Sequence, residues 1–188
     1  MTTIRAPEKL YTPEDLLRIP DGDRYELVDG RLVERGMGAK SEWVAGQLGH
    51  RIRGFLETNP IGWEMAQSSY QCFPDAPEKV RKPDASFLRL GRLPGESIPD
   101  GHIRIPPDLA IEVVSPNDLF SEVEAKVDEY LAAGVRLVWV IDPAVRTAHV
   151  YRPGTPDALR LDENQELDGG DVLPGFLCPL REVFPPPA

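Results

Sequence analysis

The sequence predicts an α/β fold: an open mixed sheet covered by helices, in the order helix, three strands, helix, strand, with a hairpin appended at each end. Three observations carry this. The apolar period is helical over residues 41–58 and strand-like in the three runs that follow. A second helical stretch, ending at Gly134, separates the run 108–115 from the buried run 137–141. A strand–helix–strand crossover of this kind implies a parallel pair. Finally, Asp29-Gly30 between two apolar-rich runs is a two-residue hairpin signal.

Taken in order, Thr12-Pro13-Glu14 opens a short helix, with Thr12 as cap and Pro13 in the first helical position. The hairpin 25–34 follows. In the first long helix Val44, Leu48, Ile52 and Phe55 share one stripe. Residues 63–73, 81–90 and 108–115 read as strands, and the Gly- and Pro-rich segment 91–107 reads as a surface loop. Asn117 or Asp118 is placed to cap the second long helix. Residues 147–152 look like a hairpin partner of 137–141, and short strands and turns are expected beyond. A single domain over 1–188 is expected, with its core at about 41–142, an N-terminal helix and hairpin at 12–34 and C-terminal strands at 146–184.

Composition narrows the function. The 188 residues are 41% hydrophobic and 28% charged, an ordinary globular balance that suits one domain with a proper core. Acids outnumber bases 31 to 21, giving a net charge of −10. That excludes broad, sequence-blind coating of nucleic acid, which needs clustered Lys and Arg. It leaves room for a compact site that brings metal ions to a phosphate. No apolar run approaches the ~20 residues of a membrane span. Residues 1–10 mix Arg5, Glu8 and Lys9 and carry no apolar signal core, so no membrane association and a cytoplasmic location are expected. Cys72 and Cys178 stand far apart and suggest neither a zinc site nor a disulfide framework.

Three residues break the pattern around them. Glu112 interrupts the nearly continuous apolar strand 108–115, and alternation places it with Ala110 and Val114 on a covered face. A carboxylate there must be neutral, paired or bound to a cation. Two readings are open: a structural salt bridge, or a metal or proton-transfer site. Asp84 begins an alternating run just after Pro83, where by itself it reads as a strand-start Asp bonding nearby backbone N–H groups. Beside Glu112 on a neighbouring strand it becomes a second ligand for a hard cation such as Mg²⁺. Lys126 falls beside Leu119 and Tyr130 at the edge of a helical stripe that also holds Phe120, Val123 and Val127. It either snorkels, or pairs with Glu122 one turn back, or reaches Asp84 and Glu112 to offset their charge. Glu26 reads first as an exposed hairpin carboxylate. It bears on the site only if the hairpin folds over the sheet edge near Asp84. Gln71 is a polar group near a strand end, and His50, His102 and His149 lie in unrelated contexts.

The run Pro83-Asp84, Glu112-Val113-Val114 and Lys126 resembles the PD-(D/E)XK nuclease superfamily. More narrowly, the chain resembles the bacterial "putative restriction endonuclease" family, often called Uma-two. The segments that carry this are 24–30 (RYELVDG), 81–84 (RKPD), 107–116 (PDLAIEVVSP), and Glu129-Tyr130, Ala133-Gly134-Val135 and 138–142 (VWVID). The resemblance extends over about residues 10–184. It implies a restriction-endonuclease-like core, Asp84 and Glu112 as ligands for Mg²⁺ or Mn²⁺, Lys126 as the active-site lysine and Glu26 as an additional acidic member. Val114 stands where a simple E-x-K strand motif has its lysine, and the resemblance implies that Lys126, at the stripe edge of the following helix, takes that place. A histidine is frequent in this family at the start of the first long helix, where this chain has Ser41.

Three functions are therefore expected in order. The first is a metal-dependent endonuclease acting on DNA, with a homodimer supplying one site per strand. The second is a nuclease-fold binding module without turnover, motivated by the acidic charge. The third is a hydrolase of another phosphoester.

Overall fold

Thr12 caps the first helix as the sequence predicts. In a computed structural model that describes residues 9–36 and 38–186, its Oγ1 accepts from the Asp15 N–H, and Asp15 Oδ2 accepts from the Thr12 N–H. This helix is α1 (Pro13–Leu16). The expectation for residues 1–10 lies largely outside the described residues. The hairpin β1 (Tyr25–Val28) and β2 (Arg31–Glu34) turns at Asp29 (φ 50°) and Gly30 (φ 74°), the two positive φ values a tight two-residue turn requires.

Helix α2 (Ala39–Thr58) lays Val44, Leu48 and Ile52 on one face of a six-stranded sheet. Its strands are β3 (Gly62–Ala66), β4 (Ala85–Arg89), β5 (Leu109–Val113), β6 (Leu137–Asp142), β7 (Thr147–Tyr151) and β8 (Leu159–Asp162), adjacent in that order. Only β5 and β6 pair in parallel, as the crossover through α3 (Phe120–Ala132) demands. Alternation sorts the strands between two cores. Phe87, Ile111 and Trp139 face α2, together with Leu167 of β9 (Glu166–Asp168) and Cys178 of β10 (Leu177–Pro179). Ala110, Val138 and Val140 face Val127 and Tyr130 of α3.

The hairpin partner expected at 147–152 is present as β7, and β8 adds one further antiparallel strand to the sheet. Several expectations are corrected. The strand expected over 63–73 stops at Ala66, since Gln67 turns left-handed (φ 48°), and Tyr70 meets Arg81 in an isolated bridge. The segment 91–107 is no simple surface loop. Leu93 and Ile103 are buried around Tyr70, and the two ring nitrogens of His102 lie 2.8 Å from Ser69 Oγ and from the Pro13 carbonyl. Neither Asn117 nor Asp118 caps α3: Leu119 holds the cap position, and Asp118 Oδ2 accepts instead from the Ser115 N–H. Leu119 and Phe120, placed by periodicity on the buried stripe, are 60% and 73% exposed, and the buried residues of α3 are Val127 and Tyr130 in its second half. Cys72 and Cys178 are both free, and no described helix is long and apolar enough to cross a membrane.

Candidate active site

β4 and β5 run antiparallel with Ala85 opposite Ile111, so Asp84 stands one residue before the ladder, at the end of β5 that carries Glu112. Its backbone N–H donates to the Ile111 carbonyl, and its Oδ2 accepts the Val113 N–H at 2.7 Å. Both carboxylates are buried, and Glu112 faces α3. There the helix repeat brings Lys126 and Tyr130, four residues apart, to the same carboxylate. Tyr130 donates its hydroxyl to Glu112 Oε1 at 2.7 Å, and Lys126 donates to Oε2 at 3.1 Å.

Lys126 Nζ also lies 3.4 Å from Glu26 Oε2. Glu26 is thus not the exposed hairpin carboxylate of the first reading: it is 1% exposed, because reciprocal backbone bonds between Leu27 and Val80 dock the hairpin beside Arg81. Its other contacts are the Arg81 guanidinium at 2.9 Å and the Lys82 N–H at 2.8 Å. Arg81 in turn grips Glu129 through two nitrogens. Lys126 therefore pairs with Glu112 and Glu26 rather than with Glu122.

Burial and charge set the protonation states. Burial, reinforced by the neighbouring charge of Glu112, pushes the Asp84 carboxyl up to about 7, although Arg35, the Val113 N–H and Lys126 oppose the shift. Burial would likewise raise Glu26, but Lys126, Arg81 and the Lys82 N–H outweigh it and hold the carboxyl below its ordinary value. Burial disfavours a charged Lys126, yet Glu112 and Glu26 overcome that and keep it an ammonium. Tyr130 is driven well above the usual phenol range by burial and by Glu112, so it remains a donor.

Of the four residues singled out in the sequence, Glu112, Lys126 and Glu26 are joined by direct ion pairs, and Asp84 adjoins them through the Val113 N–H, the residue after Glu112. Glu112, Lys126 and Glu26 line a cleft of about 250 Å³ together with Arg35, Arg81 and Glu122, whereas Asp84 reaches its edge through Arg35 and itself lines a neighbouring pocket with Glu42, Arg53 and Glu64. Gln71 does not join this cluster and donates instead to the Pro77 carbonyl. Ser41 lies 2.9 Å from Ser115 Oγ and bonds both backbone groups of Gly38, which ties the start of α2 to the end of β5. Sequence reasoning missed Arg35, Arg81 and Tyr130 as members of the cluster. For Tyr130 a signal existed, because a phenol on a buried stripe must find a partner for its hydroxyl.

The donor set suits a hard divalent cation. Asp84 and Glu112 present carboxylate oxygens only, and no described group of three or more His, Cys, Asp or Glu surrounds a common point. Mg²⁺ is commonly held in this way, by one or two carboxylates with water and phosphate oxygens completing the shell.

Comparison with known proteins gives the family and the fold. A family model, Uma2, described as "Putative restriction endonuclease", matches residues 13–181. A crystal structure described as a "putative nuclease belonging to DUF820" from Anabaena variabilis ATCC 29413 superposes with a TM-score of 0.77 at 21% identity, covering 92% of this chain and 97% of its own. A DrdV–DNA complex solved by electron cryomicroscopy is far less similar, with a TM-score of 0.32 at 10% identity over 64% of this chain and 86% of that one, too low to carry an argument. No curated protein matches.

Proposed function

From the premise that the chain belongs to the Uma2 family of restriction-endonuclease-like proteins, we propose that it is a metal-dependent endonuclease hydrolysing phosphodiester bonds of DNA. The observation that carries the reading is the position of the Lys126 ammonium, within 3.1 Å of Glu112 and 3.4 Å of Glu26, at the strand ends where Asp84 stands.

Asp84 and Glu112 are the residues that would hold Mg²⁺ or Mn²⁺. When bound, such an ion offsets charge on phosphate oxygens and acidifies water. Lys126, permanently protonated, is a donor rather than a base. It stabilises negative charge accumulating on the phosphate and orients the attacking water. Glu26 acts through Lys126 and Arg81, fixing both cations toward the cleft. Tyr130 fixes the rotamer of Glu112.

The test is cleavage of linear and supercoiled DNA by the purified protein with Mn²⁺ or Mg²⁺. Cutting that disappears in chelator and in Glu112→Gln is expected. No cutting of any DNA form, or cutting unchanged in Glu112→Gln, overturns the reading. Cutting of both strands would take two copies, and sedimentation during the assay reads whether a homodimer forms.

One observation favours a second reading, a nuclease-fold binding module without turnover. All four oxygens of Asp84 and Glu112 already have protein donors: Arg35, the Val113 N–H, Tyr130 and Lys126. Calorimetry distinguishes the two, since the module would take up no Mn²⁺ while still binding a partner.

A further inference from the structure

Arg35 follows β2 directly, and its guanidinium is inside the cleft with a side chain only 8% exposed. Its Nη2 lies 2.6 Å from Asp84 Oδ1. The other carboxylate oxygen, Oδ2, is committed to the Val113 N–H of β5. Oδ1 is therefore the oxygen whose cover is a side chain rather than the backbone, and a cation shared by Asp84 and Glu112 that binds there competes with Arg35. A guanidinium and a divalent ion on one oxygen repel strongly at such range, more so in a buried site than in water.

Charge points the same way. Three carboxyl groups, Asp84, Glu112 and Glu26, are bonded to three cations, Arg35, Arg81 and Lys126. Each of these carboxyl groups is already bonded to a resident cation, so a divalent ion entering at Asp84 competes with Arg35 for it, although Asp118 and Glu122 add negative charge to the cleft wall. Lys126 is wedged between two carboxylates, and Arg81 is bound to Glu26 and, through two nitrogens, to Glu129. Among the described residues Arg35 has one ion-pair partner. Its backbone is anchored by its N–H to the Arg24 carbonyl, so the side chain can turn without moving the hairpin.

We propose that Arg35 is an exchangeable placeholder for the metal ion: it holds Asp84 until the ion binds, then turns to the phosphodiester in the cleft. A guanidinium suits both tasks, because its planar fork matches carboxylate and phosphate alike. This rests on the nuclease reading above. It makes ion and phosphate mutually supportive ligands, since the ion frees the residue that grips the phosphate.

The test is titration calorimetry of Mn²⁺ into the full chain, with and without Arg35→Gln, in the absence of DNA. Arg35→Gln should bind Mn²⁺ more tightly, on the order of tenfold. In Ca²⁺ it should bind a short DNA duplex more weakly than wild type. Arg35→Lys keeps the charge, so its Mn²⁺ affinity should stay close to wild type. That separates loss of charge from loosening of the chain, which thermal melting of each variant also reads.

Unchanged or weaker Mn²⁺ binding in Arg35→Gln, with wild type binding normally, overturns the placeholder. Tightening in Arg35→Lys equal to that in Arg35→Gln overturns it too. Tighter Mn²⁺ binding with unchanged duplex affinity overturns the phosphate half. Absence of Mn²⁺ binding in wild type and variants alike sinks the nuclease reading itself, and the placeholder with it.

Discussion

The Tyr130 hydroxyl donates to Glu112 Oε1 across 2.7 Å between two buried side chains, one on α3 and one on β5. With Lys126 on Oε2, it completes the partners of a carboxylate that interrupts an otherwise apolar strand. Tyr130→Phe removes the donor without changing shape and leaves Oε1 buried and short of a hydrogen bond. The expected loss is about 1–3 kcal/mol, read as a lower urea midpoint with an unchanged slope.

Lys126→Met keeps most of the apolar stem but removes the charge between Glu112 and Glu26. DNA cleavage should fall about 10²–10³-fold, the effect typical of deleting one group that stabilises transition-state charge. The same substitution lowers the melting temperature, because two buried carboxylates then face each other without the intervening cation. Single-turnover cleavage and thermal melting check the two effects separately.

Asp84 makes stability depend on pH. Its carboxyl is pushed from 3.8 up to about 7, by burial first and by Glu112 second, so the folded chain holds a proton that the unfolded chain releases. The stabilisation is complete below about pH 4 and is lost as pH rises through about 7. In chelator, this group therefore contributes a decline in stability across that window. Asp84→Asn should flatten the decline, as urea melts at a series of pH values would show.

Gly62→Ala tests the edge of the sheet. A Cβ there would fall 2.2 Å from the Leu88 carbonyl oxygen and 2.4 Å from the Phe87 ring, so backbone must shift. Overpacking of this kind costs about 1–3 kcal/mol. Chemical denaturation measures it, and intact Mn²⁺ binding in the variant would place the damage away from the cleft.

Glu112 was legible because one carboxylate in an apolar run has few explanations, and Lys126 because the helical repeat puts it at the edge of a stripe. The same repeat misassigned Leu119 and Phe120: periodicity gives the side of a helix but not where the helix stops meeting the sheet. Glu26 was misread as exposed because four residues of alternation cannot tell which outside surface a hairpin docks against. That depends on the Leu27–Val80 pairing, 53 residues apart in sequence. Arg35 follows a short strand in no periodic pattern, and only the assembled chain brings it to Asp84. Thr12, Asp29-Gly30 and the β5–α3–β6 crossover were read correctly because their causes are local or chiral.

Glu26 reaches the cleft from a two-stranded ribbon joined to the body of the protein by the reciprocal Leu27–Val80 backbone bonds. The ribbon is held besides by burial of Leu27 against Leu16 and Val80 and by the ion pairs of Glu26 and Arg35, so any local opening of it withdraws Glu26 from Lys126 and Arg81 together. Competence of the site is thereby coupled to the closure of one small unit of the fold. Amide exchange at Leu27 and Val80, faster than in the central strands, would report that opening directly.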